Sequence, residues 1–151
     1  MQIFLQTGIR VAELVGLQLS DIDLDAGTML VNGKGNKQRT IYLEKKATQA
    51  LRAYLAARPQ SREQHMFLNY QGSGLSVQGV MDIVEKYRQL AEISKKFSCH
   101  SLRHTCATYK VVKGYTPPDL QDLLGHKKPE TSLIYVHMAR DARQLMQQTS
   151  P

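Results

Sequence analysis

Hydrophobic positions recur at helical spacing through most of this chain, and at a period of two in only one short stretch. Val11, Leu14, Val15 and Leu17 predict a helix over 10–19 that ends at Ser20-Asp21. Met29 and Val31 alternate about Leu30, residues 33–38 read as a turn, and Thr40 to Leu43 returns. A hairpin is expected there, because Gly-Lys-Gly-Asn supplies the backbone freedom of a tight reversal. Ala47, Leu51, Tyr54 and Leu55 place an amphipathic helix over 44–57, stopped before Pro59. Residues 59–64 read as a loop and 66–69 as a brief extended piece. After Gly72-Ser73-Gly74, Ser76 is placed to cap a helix running to about Ile93. From Ser98 onward the pattern is helical: 101–113 closed by Gly114, 118–124 closed by Gly125, and 132 to about 148. Thr116 followed by two prolines suits a helix start. Met1 to Gln6 reads as the last turns of a helix whose beginning is missing. The expected fold class is α+β, mainly helical, with a small antiparallel sheet or hairpin near residues 28–43.

Length and charge narrow the picture. The 151 residues fit one domain with a real core, and the apolar fraction of 42% argues against disorder. No apolar run approaches the ~18 residues that a bilayer span needs, and no signal-peptide pattern opens the chain. The two cysteines, Cys99 and Cys106, do not make a disulfide framework, so a cytoplasmic setting is expected, with no membrane partner. The net charge of +7 gathers at Lys34, Lys37, Arg39, Lys45 and Lys46, at Lys95, Lys96 and Arg103, and at Lys127 and Lys128. Such a field favours polyanions, nucleic acid foremost; a merely solvated basic surface is the bland alternative.

Several patterns bear on chemistry. Gly33-Lys34-Gly35-Asn36-Lys37 lacks the glycine gap and the Lys-Ser/Thr ending of a phosphate-binding loop. Asp21, Asp23 and Asp25 begin like a calcium loop, but Ala26 and Asn32 stand where glycine and glutamate are needed. Cys99, His100, His104 and Cys106 have unusual spacing for zinc, and core packing is the preferred reading of the cysteines. No metal and no cofactor is assigned. A helix–glycine–helix around Gly125 could form a DNA-reading helix-turn-helix, although Leu133, Ile134, Val136 and Met138 leave few polar groups for base edges. The remaining set is the most telling. Tyr135 is accompanied by Arg10, Arg103, Lys34, His100 and His126, a combination able to attack a phosphodiester with a phenol and hold the transition-state charge with cations.

In four separated motifs the chain resembles the tyrosine recombinases, which include the phage integrases and Xer-type recombinases. These motifs are Thr-Gly-Ile-Arg-Val-Ala-Glu-Leu from Thr7, Gly-Lys-Gly-Asn-Lys-Gln-Arg-Thr from Gly33, His-Ser-Leu-Arg-His-Thr from His100, and Leu-Leu-Gly-His followed by Tyr-Val-His. They stand in the family's order and span nearly the whole chain. The resemblance implies that Arg10 and Arg103 grip the non-bridging oxygens of a scissile phosphate, a task suited to planar, always-charged guanidinium forks. It implies that Lys34 protonates the departing 5′ oxygen, with Lys37 a less fitting competitor. His100 would position or deprotonate the nucleophile, His126 would donate to the phosphate, and Tyr135 would be the nucleophile. Glu13, one turn after Arg10, would orient it. His104 and His137 are read as support.

The function so implied is site-specific DNA cleavage and rejoining through a 3′-phosphotyrosine, without metal or ATP. Residues 1–151 would be the catalytic domain, truncated at its N-terminal side and without the core-binding domain that completes a clamp on DNA. Double-stranded DNA is the expected partner, with Lys37, Arg39, Lys95, Lys96, Lys127 and Lys128 on its backbone. A homo-tetramer on DNA is expected of the full-length protein, and a weakly binding monomer of this length alone. The alternatives are a type IB topoisomerase, which shares the catalytic logic, and a non-catalytic DNA-binding module in which Tyr135 is merely packed.

Overall fold

The computed structural model describes residues 1–125 apart from Lys34 and Asn36. Helix α1 (Gln2–Thr7) buries Ile3, Phe4 and Thr7, packs mainly on α5 (Cys99–Val112) and ends at Gly8. Gly8 has φ 60°, and its N–H donates to Phe4 O at 2.9 Å. That left-handed turn sends the chain directly into α2 (Val11–Gly16).

Helix α2 stops earlier than the apolar periodicity predicts. The Leu17 carbonyl accepts from Met66 N–H at 2.7 Å, and Leu19 N–H donates to Gln64 O at 2.9 Å. Residues 17–19 therefore leave the helix to pair with 64–66, a partner far away in sequence, while Leu17 stays in the core. One 3-10 turn follows at Leu19–Asp21.

The sheet has three antiparallel strands in the order β1 (Ile22–Asp23), β2 (Thr28–Asn32), β3 (Gln38–Tyr42). β2 and β3 are the predicted hairpin, and β1 adds a short third strand through its pairing with Thr28 and Met29. The Asp23 carboxylate accepts from the backbone N–H groups of Asp25 and Ala26 at 2.9 and 2.8 Å, which makes it a turn cap. Pairing in β2–β3 sets Met29 opposite Ile41 and Val31 opposite Arg39. Met29, Val31 and Ile41 are buried, so the inner face of the sheet carries Arg39 beside the apolar core.

Helix α3 (Lys45–Ala57) buries Ala47 and Leu51. Helix α4 (Val77–Leu90) starts at Ser76, whose Oγ accepts from Gly79 N–H, and it ends short of Ile93 because Glu92 turns to φ 54°. Ser98 rather than a later residue caps α5, which puts Cys99 and His100 in its first turn. Helix α6 (Pro117–Leu124) begins at Thr116 and ends at Gly125, with φ 63°. Ala107 and Val111 of α5 meet Leu120 and Leu124 of α6 in an apolar contact beside the main core. The helix expected from 132 lies outside the described residues.

Candidate active site

Three chain segments converge on the C-terminal end of α6: residues 8–13, β3 and α5. The last carbonyls of a helix have no intrahelical donor and carry part of its negative dipole. Here each of the final three meets a guanidinium. Arg39 Nε donates to Leu123 O at 2.9 Å, Arg103 Nη2 to Leu124 O at 2.7 Å, and Arg10 Nη2 to Gly125 O at 3.0 Å. Arg103 comes from the buried face of α5, and its Nη1 also donates to Gly8 O. Arg10 sits at the N-terminus of α2, and Arg39 reaches in from β3.

Glu13 ties two of these cations together. Its Oε1 accepts from Arg10 Nη1 at 2.8 Å and Arg39 Nη1 at 3.0 Å. Its Oε2 accepts from Arg39 Nη2 at 2.8 Å and from Arg10 N–H at 2.9 Å. The carboxylate side chain is 6% exposed. Burial alone would push its pKa up, but the Arg39 fork, the Arg10 N–H and the Arg39 charge prevail and bring it to about 2.

A cleft of about 950 Å³ opens beside this cluster, lined by Arg10, Glu13, Arg39 and Gly125 together with Gly33 and Lys37 of the hairpin loop. Gly33 N–H donates to Lys37 O at 2.8 Å, which closes the loop at the cleft edge. The Arg10 side chain remains 41% exposed there. His100 is exposed on the first turn of α5, its ring edge-on to His104 with centroids 4.3 Å apart. Burial, with the nearby charges of His100 and Arg103, holds the His104 pKa below the usual histidine range. Cys99 and Cys106 are buried free thiols, and burial pushes Cys106 up to about 11. Among the described residues no cluster of His, Cys, Asp and Glu could hold a metal ion. Among them, too, no helix is long and apolar enough to cross a membrane.

The structure thus brings together Arg10, Glu13 and Arg103, and it sets His100 one turn before Arg103 on the same helix. Lys37, Lys95 and Lys96 are exposed, whereas the surface position expected of Arg39 is not what is found. Its side chain is 13% exposed and turned inward. The alternation of β3 held the signal: Arg39 shares its face with Ile41, a core residue. Lys34, His126, Lys127, Lys128, Tyr135 and His137 lie outside the described residues.

Known proteins resemble this chain in sequence and fold. The family model described as "Phage integrase family" covers residues 1–141. The chain is 39% identical over 146 residues to the tyrosine recombinase XerC of Thermodesulfovibrio yellowstonii, a match covering 91% of this chain and 48% of that protein. It is 38% identical to the tyrosine recombinase XerD of Listeria monocytogenes, covering 93% of this chain and 49% of that one. Among solved structures, XerA recombinase superposes with a TM-score of 0.88 at 30% identity, over 99% of this chain and 56% of the other. XerH site-specific recombinase, in a post-cleavage complex with a palindromic difH substrate, gives 0.81 at 28% identity, over 98% and 44%. The chain spans about half the length of the curated relatives it matches. It belongs to the phage integrase family.

Proposed function

We propose that this chain is the strand-cleaving catalytic domain of a site-specific DNA recombinase. The observation that carries the reading is the meeting of Arg10 and Arg103, distant in sequence, at one helix end beside an open cleft. Planar forks fixed beside a cleft suit the non-bridging oxygens of a phosphodiester, where charge builds during displacement. The XerH neighbour, bound to its difH substrate after cleavage, supports DNA as the substrate.

In this reading the Tyr135 oxygen attacks phosphorus while the bond to the 5′ oxygen breaks. Lys34 gives its proton to that leaving oxygen, and His100 takes or positions the phenolic proton. His126 donates to a non-bridging oxygen, and Glu13 holds Arg10 in aim. The phosphotyrosine keeps the phosphodiester energy, so a 5′-hydroxyl reverses the step and reseals the strand. Lys37, Lys95, Lys96, Lys127 and Lys128 contact the DNA backbone; Arg39 leaves this group because its side chain is turned inward and its fork is taken by Glu13. Residues 1–151 act with a second, DNA-clamping domain and as a tetramer on two duplexes.

The test is covalent capture from a pool of nicked duplexes with randomised arms. The unmutated chain is expected to give a denaturation-resistant adduct that maps to Tyr135. Tyr135→Phe should abolish the adduct and leave DNA binding in place. An adduct that survives Tyr135→Phe refutes the assignment of the nucleophile; no adduct from the unmutated chain refutes the reading.

A further inference from the structure

As one of the chain's clustered cations Arg39 is expected on DNA, yet its surroundings describe another task. We infer that Arg39 is a positioning residue for Arg10, acting through Glu13 and through the end of α6. The inference rests on the reading given under Proposed function.

A guanidinium on the core face of a sheet costs several kcal/mol of desolvation unless every donor is well placed. Arg39 engages three of its five N–H donors, two in a fork to Glu13 and one on Leu123 O. A hydrophobic residue opposite Val31 would satisfy the sheet at least as well, so stability alone is a poor reason for an arginine at this register. Its geometric effect is specific. The Arg10 guanidinium has two fixed partners, Glu13 Oε1 and Gly125 O. Arg39 bonds to the first and lies beside the second. It occupies both oxygens of Glu13, which stops the carboxylate from rotating about its last torsion. It also grips α6 at Leu123 and lies against Gly125, where an added Cβ would stand 3.0 Å from Nη1. Without Arg39, Arg10 would keep its charge and lose its frame. A misplacement of about 1 Å at a reacting centre can cost on the order of 100-fold in rate.

The experiment measures single-turnover adduct formation on the nicked duplex that the unmutated chain selects from the pool. Arg39→Gln is expected to lower the rate at saturating DNA by about 10- to 100-fold and to leave the half-saturating DNA concentration within about twofold. On an Arg10→Lys background the same change is expected to cost less than about threefold, because the residue it positions has gone. Circular dichroism checks the fold. If Arg39→Gln does not fold, Arg39→Lys keeps a cation on Glu13 while removing the fork, and the same non-additivity is expected. The inference is overturned by an unchanged saturating rate, by equal losses on both backgrounds, or by a loss confined to half-saturation. An unmutated chain that forms no adduct overturns the underlying reading instead, which keeps the two failures apart.

Discussion

Replacing Glu13 by glutamine removes the negative centre of the arginine cluster while keeping the side-chain shape. Glu13 accepts from two guanidiniums and one backbone N–H, and it is almost fully buried. Its pKa is lowered from 4.5 to about 2. A group whose folded pKa is depressed stabilises the fold above its unfolded pKa, and that contribution is lost as pH falls toward the folded value. The shift corresponds to about 3 kcal/mol at pH 7, shrinking to about 1 kcal/mol near pH 2.5. The expected outcome is that Glu13→Gln is less stable than the unmutated chain by about 3 kcal/mol at pH 7, with the gap closing steadily below pH 4.5. Urea denaturation followed by circular dichroism at several pH values measures this directly. Comparing the two proteins at each pH cancels the other depressed carboxylates, such as Glu85 and Asp119, which titrate in both. Curves that run parallel from pH 7 to pH 2.5 would refute the argument, as would a variant as stable as its parent at neutral pH.

Gly8→Ala should destabilise the fold by about 2–4 kcal/mol, because it forces a β-carbon into Leu124 Cδ2 at a left-handed φ of 60°. Thermal unfolding checks this, and a change in melting temperature below about 2 °C would contradict it. Lys110 is buried while its partner Glu44 is largely exposed, so the pair should respond asymmetrically. Glu44→Gln strands a buried cation and should cost about 2 kcal/mol, whereas Lys110→Met should cost less than about 1 kcal/mol; denaturant midpoints decide between them.

Much of this architecture was legible in the residue pattern because its determinants are local. Ser76, Thr116 and Gly125 mark helix ends through caps that need only neighbouring residues. Likewise Arg10 and Glu13, three residues apart, reveal their pairing by spacing. The misses share a physical origin in partners that the local pattern cannot identify. Helix α2 ends early because residues 64–66 claim the backbone at 17–19, and β1 exists only by pairing with Met29 and Thr28. Arg39 has the residue type of a surface charge, and only its alternation with Ile41 along β3 turns it inward. Nothing near Arg103 in sequence announces that its guanidinium will bridge Gly8 and Leu124.

Crowding three like charges at one point is self-limiting, since mutual repulsion drives them apart before any anion arrives. The carboxyl end of α6 answers this by serving as a resident counter-ion, its dipole worth roughly half an elementary charge of negative sign. Because that half-charge belongs to the backbone, no side-chain substitution deletes it and no ordinary change of pH titrates it. The guanidiniums are therefore held together by a counter-charge that stays in place whatever occupies the cleft.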